Sequence, residues 1–149
     1  MTDGTSTTSN DAMIRAFLAA WEGRDTEFIV DHFADDGVYH SIPLAPIVGK
    51  RAIREFVAGF VDVPPGRLVV HHQIASGDVV MNERTDYITI NGVPVTLPIC
   101  GVFEIENGRI KAWRELLRSG PRQSRVRQCL TGAFARQPKL THAGSVSLG

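Results

Sequence analysis

Two Asn-Gly dipeptides, Asn91-Gly92 and Asn107-Gly108, separate runs rich in β-branched residues in the second half of the chain. Asn-Gly is favoured in two-residue type I′ hairpin turns, because both residues tolerate the positive φ that such turns demand. The runs Leu68 to Ala75, Val79 to Ile90, Val93 to Ile105 and Arg109 to about Leu117 are therefore expected to be four strands of an antiparallel meander. The first half has a different texture. Met13, Ile14, Phe17, Leu18 and Trp21 follow the helical period after a cap at Asn10 or Asp11, with Gly23 as the stop. Asp25 opens a second short helix that buries Phe28, Ile29 and Phe33, and Asp35-Asp36-Gly37 turns the chain into an extended run, Val38 to Ile42. Pro43 and Pro46 close that run, and a third helix from about Lys50 carries Ile53, Phe56, Val57 and Phe60 on one side. Three helices before a long meander define an α+β domain, with helices over one face of a sheet that can curl into a cone with an apolar interior.

At 149 residues with 43% hydrophobic content the chain suffices for one domain with a real core. Its organisation is read as a mobile polar tail over residues 1–9, a folded domain over 10–117 and an atypical basic segment over 118–149. Sixteen basic residues balance sixteen acidic ones overall, yet residues 1–115 hold every acid and ten bases, whereas 116–149 hold six bases and no acid. With no net charge, the chain has no general attraction for nucleic acid or anionic lipid. Cys100 and Cys129 form no paired motif, so neither a disulfide framework nor a structural zinc site is indicated, and a reducing cytoplasm is the expected compartment. No signal peptide or stretch approaching the ~18 apolar residues of a membrane span is present.

No G-x-S-x-G elbow, glycine-rich phosphate loop or H-E-x-x-H helix appears, which leaves serine hydrolase, nucleotide and zinc-protease chemistry without support. His71 and His72 are neighbours on a strand, so their side chains are expected on opposite faces. Arg84 and Asp86 stand at i and i+2 on one strand and share a face with Val80 and Ile88. Periodicity does not decide between a buried pair and a solvated salt bridge, because the alternate set Met81, Glu83, Thr85 and Tyr87 is no more apolar. Glu115 shares a face with Trp113 and Leu117, and Tyr39 pairs with Ser41 in the same way. Two carboxylates with an arginine between them in a nonpolar cavity would be driven to unequal proton affinities, giving one acid and one base.

Three stretches carry a resemblance: Val38-Tyr39-His40-Ser41-Ile42-Pro43-Leu44, then Asn82-Glu83-Arg84-Thr85-Asp86, then Cys100-Gly101-Val102-Phe103-Glu104-Ile105 with Gly108-Arg109-Ile110 and Trp113-Arg114. Over about residues 11–115 the chain resembles the limonene-1,2-epoxide hydrolase family, whose fold is a cone-shaped α+β barrel of the nuclear-transport-factor and ketosteroid-isomerase type. By position, the resemblance implies Asp86 as proton donor, Arg84 as the bridging arginine and Tyr39 as a water-holding residue. It sets Ser41 where the family has asparagine and Glu115 where the family has the water-activating aspartate; Ile88, Leu97 and Ile99 match lining positions. The implied reaction adds water to a hydrophobic epoxide to give a vicinal diol, with no metal or organic cofactor, in a chain expected to pair as a homodimer. Two other readings share the fold: proton transfer of the ketosteroid-isomerase or polyketide-cyclase kind, and a non-catalytic small-molecule-binding module.

Beyond Arg114 the family's usual Trp-Arg-Asp-Tyr-Phe-Asp is absent. One G inserted into GAC-TAC-TTC-GA gives GAG-CTA-CTT-CGA, which encodes Glu-Leu-Leu-Arg, the residues at 115–118. On that reading the acid-free remainder is an out-of-frame tail. Its rival is a genuine basic tail for an anionic partner, although the segment lacks aromatic interleaving and amphipathic periodicity.

Overall fold

The structure, a computed structural model, describes residues 4–42, 44–60 and 64–117. The elements run in the order α1 (Gly4–Gly23), α2 (Thr26–Asp31), β1 (Phe33–Ile42), β2 (Ile47–Val48), α3 (Lys50–Ala58), β3 (Arg67–Ser76), β4 (Val79–Ile90), β5 (Val93–Glu106) and β6 (Arg109–Leu117). One six-stranded sheet has the order β2-β1-β6-β5-β4-β3. Its neighbours are antiparallel except β1 and β6, which run parallel, so the sheet is mixed and curved but does not close. Both Asn-Gly turns take the conformation their chemistry favours: Asn91 and Gly92 have φ of 51° and 77°, Asn107 and Gly108 have 51° and 71°. The expected β4–β5 and β5–β6 hairpins follow directly.

Several local expectations give way. α1 starts at Gly4, so residues 4–9, read from composition as part of a mobile tail, are helical. Tertiary contact overrides weak propensity here: Thr7 Oγ1 accepts from Gly77 N at 3.2 Å and Asn10 Nδ2 donates to Gly77 O at 2.9 Å, tying the helix to the β3–β4 turn. α1 ends in a Schellman arrangement, with Asp25 N donating to Ala20 O and Arg24 N to Trp21 O. The left-handed residue is Arg24, at φ 56°, one position beyond the expected glycine stop. Phe33 belongs to β1 instead of the second helix, because Ile110 N donates to His32 O at 2.7 Å and Phe33 registers against Ile110. A bulge between Phe33 and Val38 absorbs the Asp-Asp-Gly segment within the strand. Another bulge, between Val70 and His72, removes strict alternation in β3. His71 and His72 are accordingly both exposed and bond Thr85 and Glu83, successive residues on one face of β4, not opposite faces of the sheet. The basic segment over 118–149, with Cys129, and Pro43 lie outside the described residues.

The core sits between the helices and the inner sheet face, which alternation fills with Val80 from β4, Phe103 and Ile105 from β5, and Ile110 and Trp113 from β6. Phe17 of α1 is its hub, meeting Phe33, Phe103 and Trp113 edge-on at centroid distances of 5.7, 6.1 and 5.2 Å. A separate small cluster, Ile90, Val95, Leu97 and Ile99, occupies the far end of β4 and β5. Between the two clusters the inner face carries polar side chains. Phe17→Ala, which empties a fully buried position, is expected to cost about 3–5 kcal/mol of stability, measured by denaturant unfolding.

Candidate active site

The side chains of Asn82, Arg84 and Asp86 project in succession from the inner face of β4, and all three are buried. Arg84 is 1% exposed, Asp86 8% and Glu115, arriving from β6, 5%. A guanidinium in such a place must be fully paired. Arg84 Nε donates to Asp86 Oδ1 at 2.9 Å and Nη2 to Asp86 Oδ2 at 3.2 Å, a bidentate clasp. Nη2 also donates to Glu115 Oε1, and Nη1 donates to Asn82 Oδ1 at 3.1 Å. The guanidinium carbon lies 5.7 Å from the centroid of Trp113, so the ring also faces the charge. Periodicity had left a solvated surface pair open; coverage by the helices settles it in favour of burial.

β1 contributes from the other side because it lies beside β6 in parallel, with Tyr39 in register with Trp113 and Ser41 with Glu115. The Tyr39 hydroxyl donates to Glu115 Oε2 at 2.7 Å, leaving Oε1 to Arg84, and the Ser41 hydroxyl stands beside the phenol. Room for this cluster comes from Gly101 on β5, which registers with both Asn82 and Glu115. A Cβ there would stand 2.7 Å from Arg84 Nη1 and 2.9 Å from Asn82 Oδ1. The same carboxamide of Asn82 donates to Gln73 Oε1 at 3.3 Å, and Gln73 donates to Asp11 Oδ1 at 2.8 Å, carrying the network to α1.

The electrostatics follow from burial and neighbours. Asp86 is pushed up to about 6, chiefly by burial; Arg84 opposes the rise, while the charges of Glu115 and Glu22 add to it. Burial works against the charge of Arg84, but Glu115 and then Asp86 outweigh it and hold the guanidinium above its ordinary value. Burial, followed by the Glu115 charge, lifts the Tyr39 phenol well above its usual range, so its O–H remains a donor.

These groups form the polar floor of a cavity of about 220 Å³. Its walls are apolar: Phe56 and Phe60 from the α3 side, Leu68, Ile88, Leu97, Ile99 and Leu117 from the sheet. All eight residues singled out from the sequence and the resemblance, Tyr39, Ser41, Arg84, Asp86, Ile88, Leu97, Ile99 and Glu115, border this one space. Sequence reasoning missed Asn82 as the third partner of Arg84, although strand alternation places it on the same face. It also missed Leu68, Phe56 and Phe60, whose convergence depends on long-range packing with no local signal. Arg24, Thr89 and Asn91 also border the cavity.

Such a floor can hold a proton on one carboxyl group while another group accepts one, in a pocket suited to an apolar molecule. The chain belongs to the family of SnoaL-like domains, whose pattern matches residues 14–113. Among its relatives is epoxide hydrolase EphG of Mycobacterium tuberculosis (strain ATCC 25618 / H37Rv), 31% identical over 102 residues that make up 68% of each chain. A solved structure described as an LEH-like epoxide hydrolase of M. tuberculosis superposes with a TM-score of 0.71 at 28% identity, covering 87% of this chain and 92% of the other. A protein of ketosteroid isomerase-like fold from Catenulispora acidiphila DSM 44928, in complex with trimethylamine, shares the fold at TM-score 0.63 and 21% identity, with 70% and 83% coverage. The epoxide hydrolase relatives support an enzyme of hydrolase type.

Gly101→Ala is expected to displace the Arg84 guanidinium and the Asn82 carboxamide, whose ends a Cβ would meet at 2.7 and 2.9 Å, and so to disturb the bonds from Arg84 to the carboxylates. A fall in melting temperature of several degrees, equivalent to about 1–3 kcal/mol of overpacking, is the expected calorimetric result.

Proposed function

We propose that this chain is an epoxide hydrolase that adds water to a hydrophobic epoxide in one step, by general acid and base catalysis. The observation that carries the reading is the Arg84-bridged pair of buried carboxyl groups, Asp86 and Glu115, on the floor of an apolar cavity. Asp86, with its proton affinity raised, donates to the epoxide oxygen as the C–O bond breaks. Glu115 takes a proton from the attacking water as the new C–O bond forms, so the product is a vicinal diol carrying one oxygen from solvent. Return of a proton from Glu115 to Asp86 through solvent restores the starting state. Arg84 fixes the separation of the two carboxyl groups and balances their charge, Tyr39 orients Glu115 through its 2.7 Å bond, and the Ser41 hydroxyl offers a contact for the water.

Glutamate in place of the aspartate expected from the family lengthens the base by one methylene. The bonds from Tyr39 and Arg84 support the reading that this longer side chain is nevertheless held in a defined position, which matters because a displacement of about 1 Å can cost about 10²-fold in rate. Ile88, Leu97 and Ile99 favour a terpene-, steroid- or lipid-like epoxide. The exposed outer sheet face carries Ile74, Met81, Tyr87 and Leu116, which supports the homodimer implied by the resemblance.

Asp86→Asn is expected to remove at least about 10²-fold of diol formation while circular dichroism remains native; retained activity would take Asp86 out of the acid role. In oxygen-18 water the diol should carry label, whereas an isomerised, unlabelled product would favour proton transfer next to a carbonyl. The pH dependence has a definite sign: a raised acid loses its proton as pH climbs, so kcat/KM should fall as pH rises through about 6.

A further inference from the structure

Glu22, in the last turn of α1, has no part in the mechanism above, yet its carboxylate reaches across to the sheet. Its Oε1 accepts a hydrogen bond from the main-chain N–H of Leu68, near the start of β3. Leu68 is in register with Asp86 on the neighbouring strand, and its side chain forms part of the cavity wall. We propose that Glu22 is a positioning residue for Asp86: it clamps the β3 residue paired with that carboxyl group and sets a third carboxylate behind the wall that Leu68 gives the cavity. The proposal rests on the reading of Asp86 as the proton donor and adds a residue that acts on it from outside the Arg84 network.

The clamp has a physical logic. β3 is an edge strand, so among the described residues no further strand pairs with its outer side to hold its first residues in register. A charge-assisted bond to a backbone N–H supplies that restraint and satisfies a donor that the β3–β4 ladder leaves over. The electrostatic contribution points the same way, because Glu22 adds to the rise at Asp86. The charged groups acting on Asp86 are Arg84 on its own strand, Glu115 from β6 and Glu22 from α1, with Tyr39 from β1 bonded to Glu115; β5 opposes it with Leu97 and β3 with Leu68. Arg84 is already shared with Glu115, so Glu22 leaves the balance at the acid more negative.

Glu22→Gln separates the two effects, since the amide oxygen still accepts from Leu68 N–H while the charge is gone. The readout is a carbon-13 NMR titration of aspartate carboxyl groups in the free protein, with the Asp86 signal assigned by its loss in Asp86→Asn. The midpoint of Asp86 should move to lower pH in Glu22→Gln by about half a unit, the order expected of one partly screened charge, and the high-pH fall of kcat/KM should move with it. Glu22→Ala should produce the same shift together with a lower melting temperature. An unmoved midpoint in Glu22→Gln would overturn the proposal. Should that variant fail to fold, the Leu68 amide of the unsubstituted chain decides: slow exchange with a downfield shift that follows the Glu22 carboxylate supports the clamp, and a freely exchanging amide overturns it. The titration uses no substrate, so its outcome stands apart from any failure of the unsubstituted chain to open epoxides.

Discussion

One guanidinium, almost wholly removed from water, dictates the arrangement around it. A lone buried charge would cost several kcal/mol, so Arg84 requires oxygen acceptors on every side, and the sheet supplies them from two strands. Asp86 and Asn82 come from positions two residues either side on β4, Glu115 from β6 two strands away. The β5 residue between them must then be glycine-sized, because the guanidinium fills the volume a side chain would take. The aromatic hub under the helices completes the enclosure, with Trp113 shared by the core and the charged cluster.

That enclosure also produces the chemical asymmetry. Both carboxyl groups contact the same arginine, but Glu115 accepts in addition from Tyr39, whereas Asp86 lies against apolar wall and is pushed up to about 6. The surroundings of Asp86, more than its side-chain type, raise its hold on a proton. The identities of the enclosing groups matter as much as those of the two acids.

Much of this was legible in the sequence, for reasons that differ between elements. The strands β3 to β6 were readable to within a residue or two because β-branched runs mark them and Asn-Gly turns fix where β4, β5 and β6 reverse. Helix α1 was readable in its apolar part, but its first turn was not, since the bonds that hold Thr7 and Asn10 go to a turn some seventy residues away. Phe33 satisfied the helical period after Ile29, and only the backbone pairing with β6 reassigns it. The two-residue strand β2 is too short for any pattern to announce it. At the site, i and i+2 spacing placed Arg84 with Asp86, but which face of β4 is covered depends on where α1 lands, and no local pattern encodes that. Asn82 was within reach of the same alternation argument, and the Glu22–Leu68 contact was not.

The division of the interior into two apolar clusters separates what must stay constant from what can drift. The aromatic cluster beneath the helices shares Trp113 with the charged floor, so repacking it disturbs Arg84 and the carboxyl groups it bridges. Ile90, Val95, Leu97 and Ile99 form a detached end wall that touches neither helix core nor hub. Within that wall Leu97 and Ile99 stand opposite Asp86 and Arg84, so reshaping them by one methyl group would alter both which molecules fit and how the carboxyl group is shielded, leaving Ile90 and Val95, further along the ladder, as the part freer to drift.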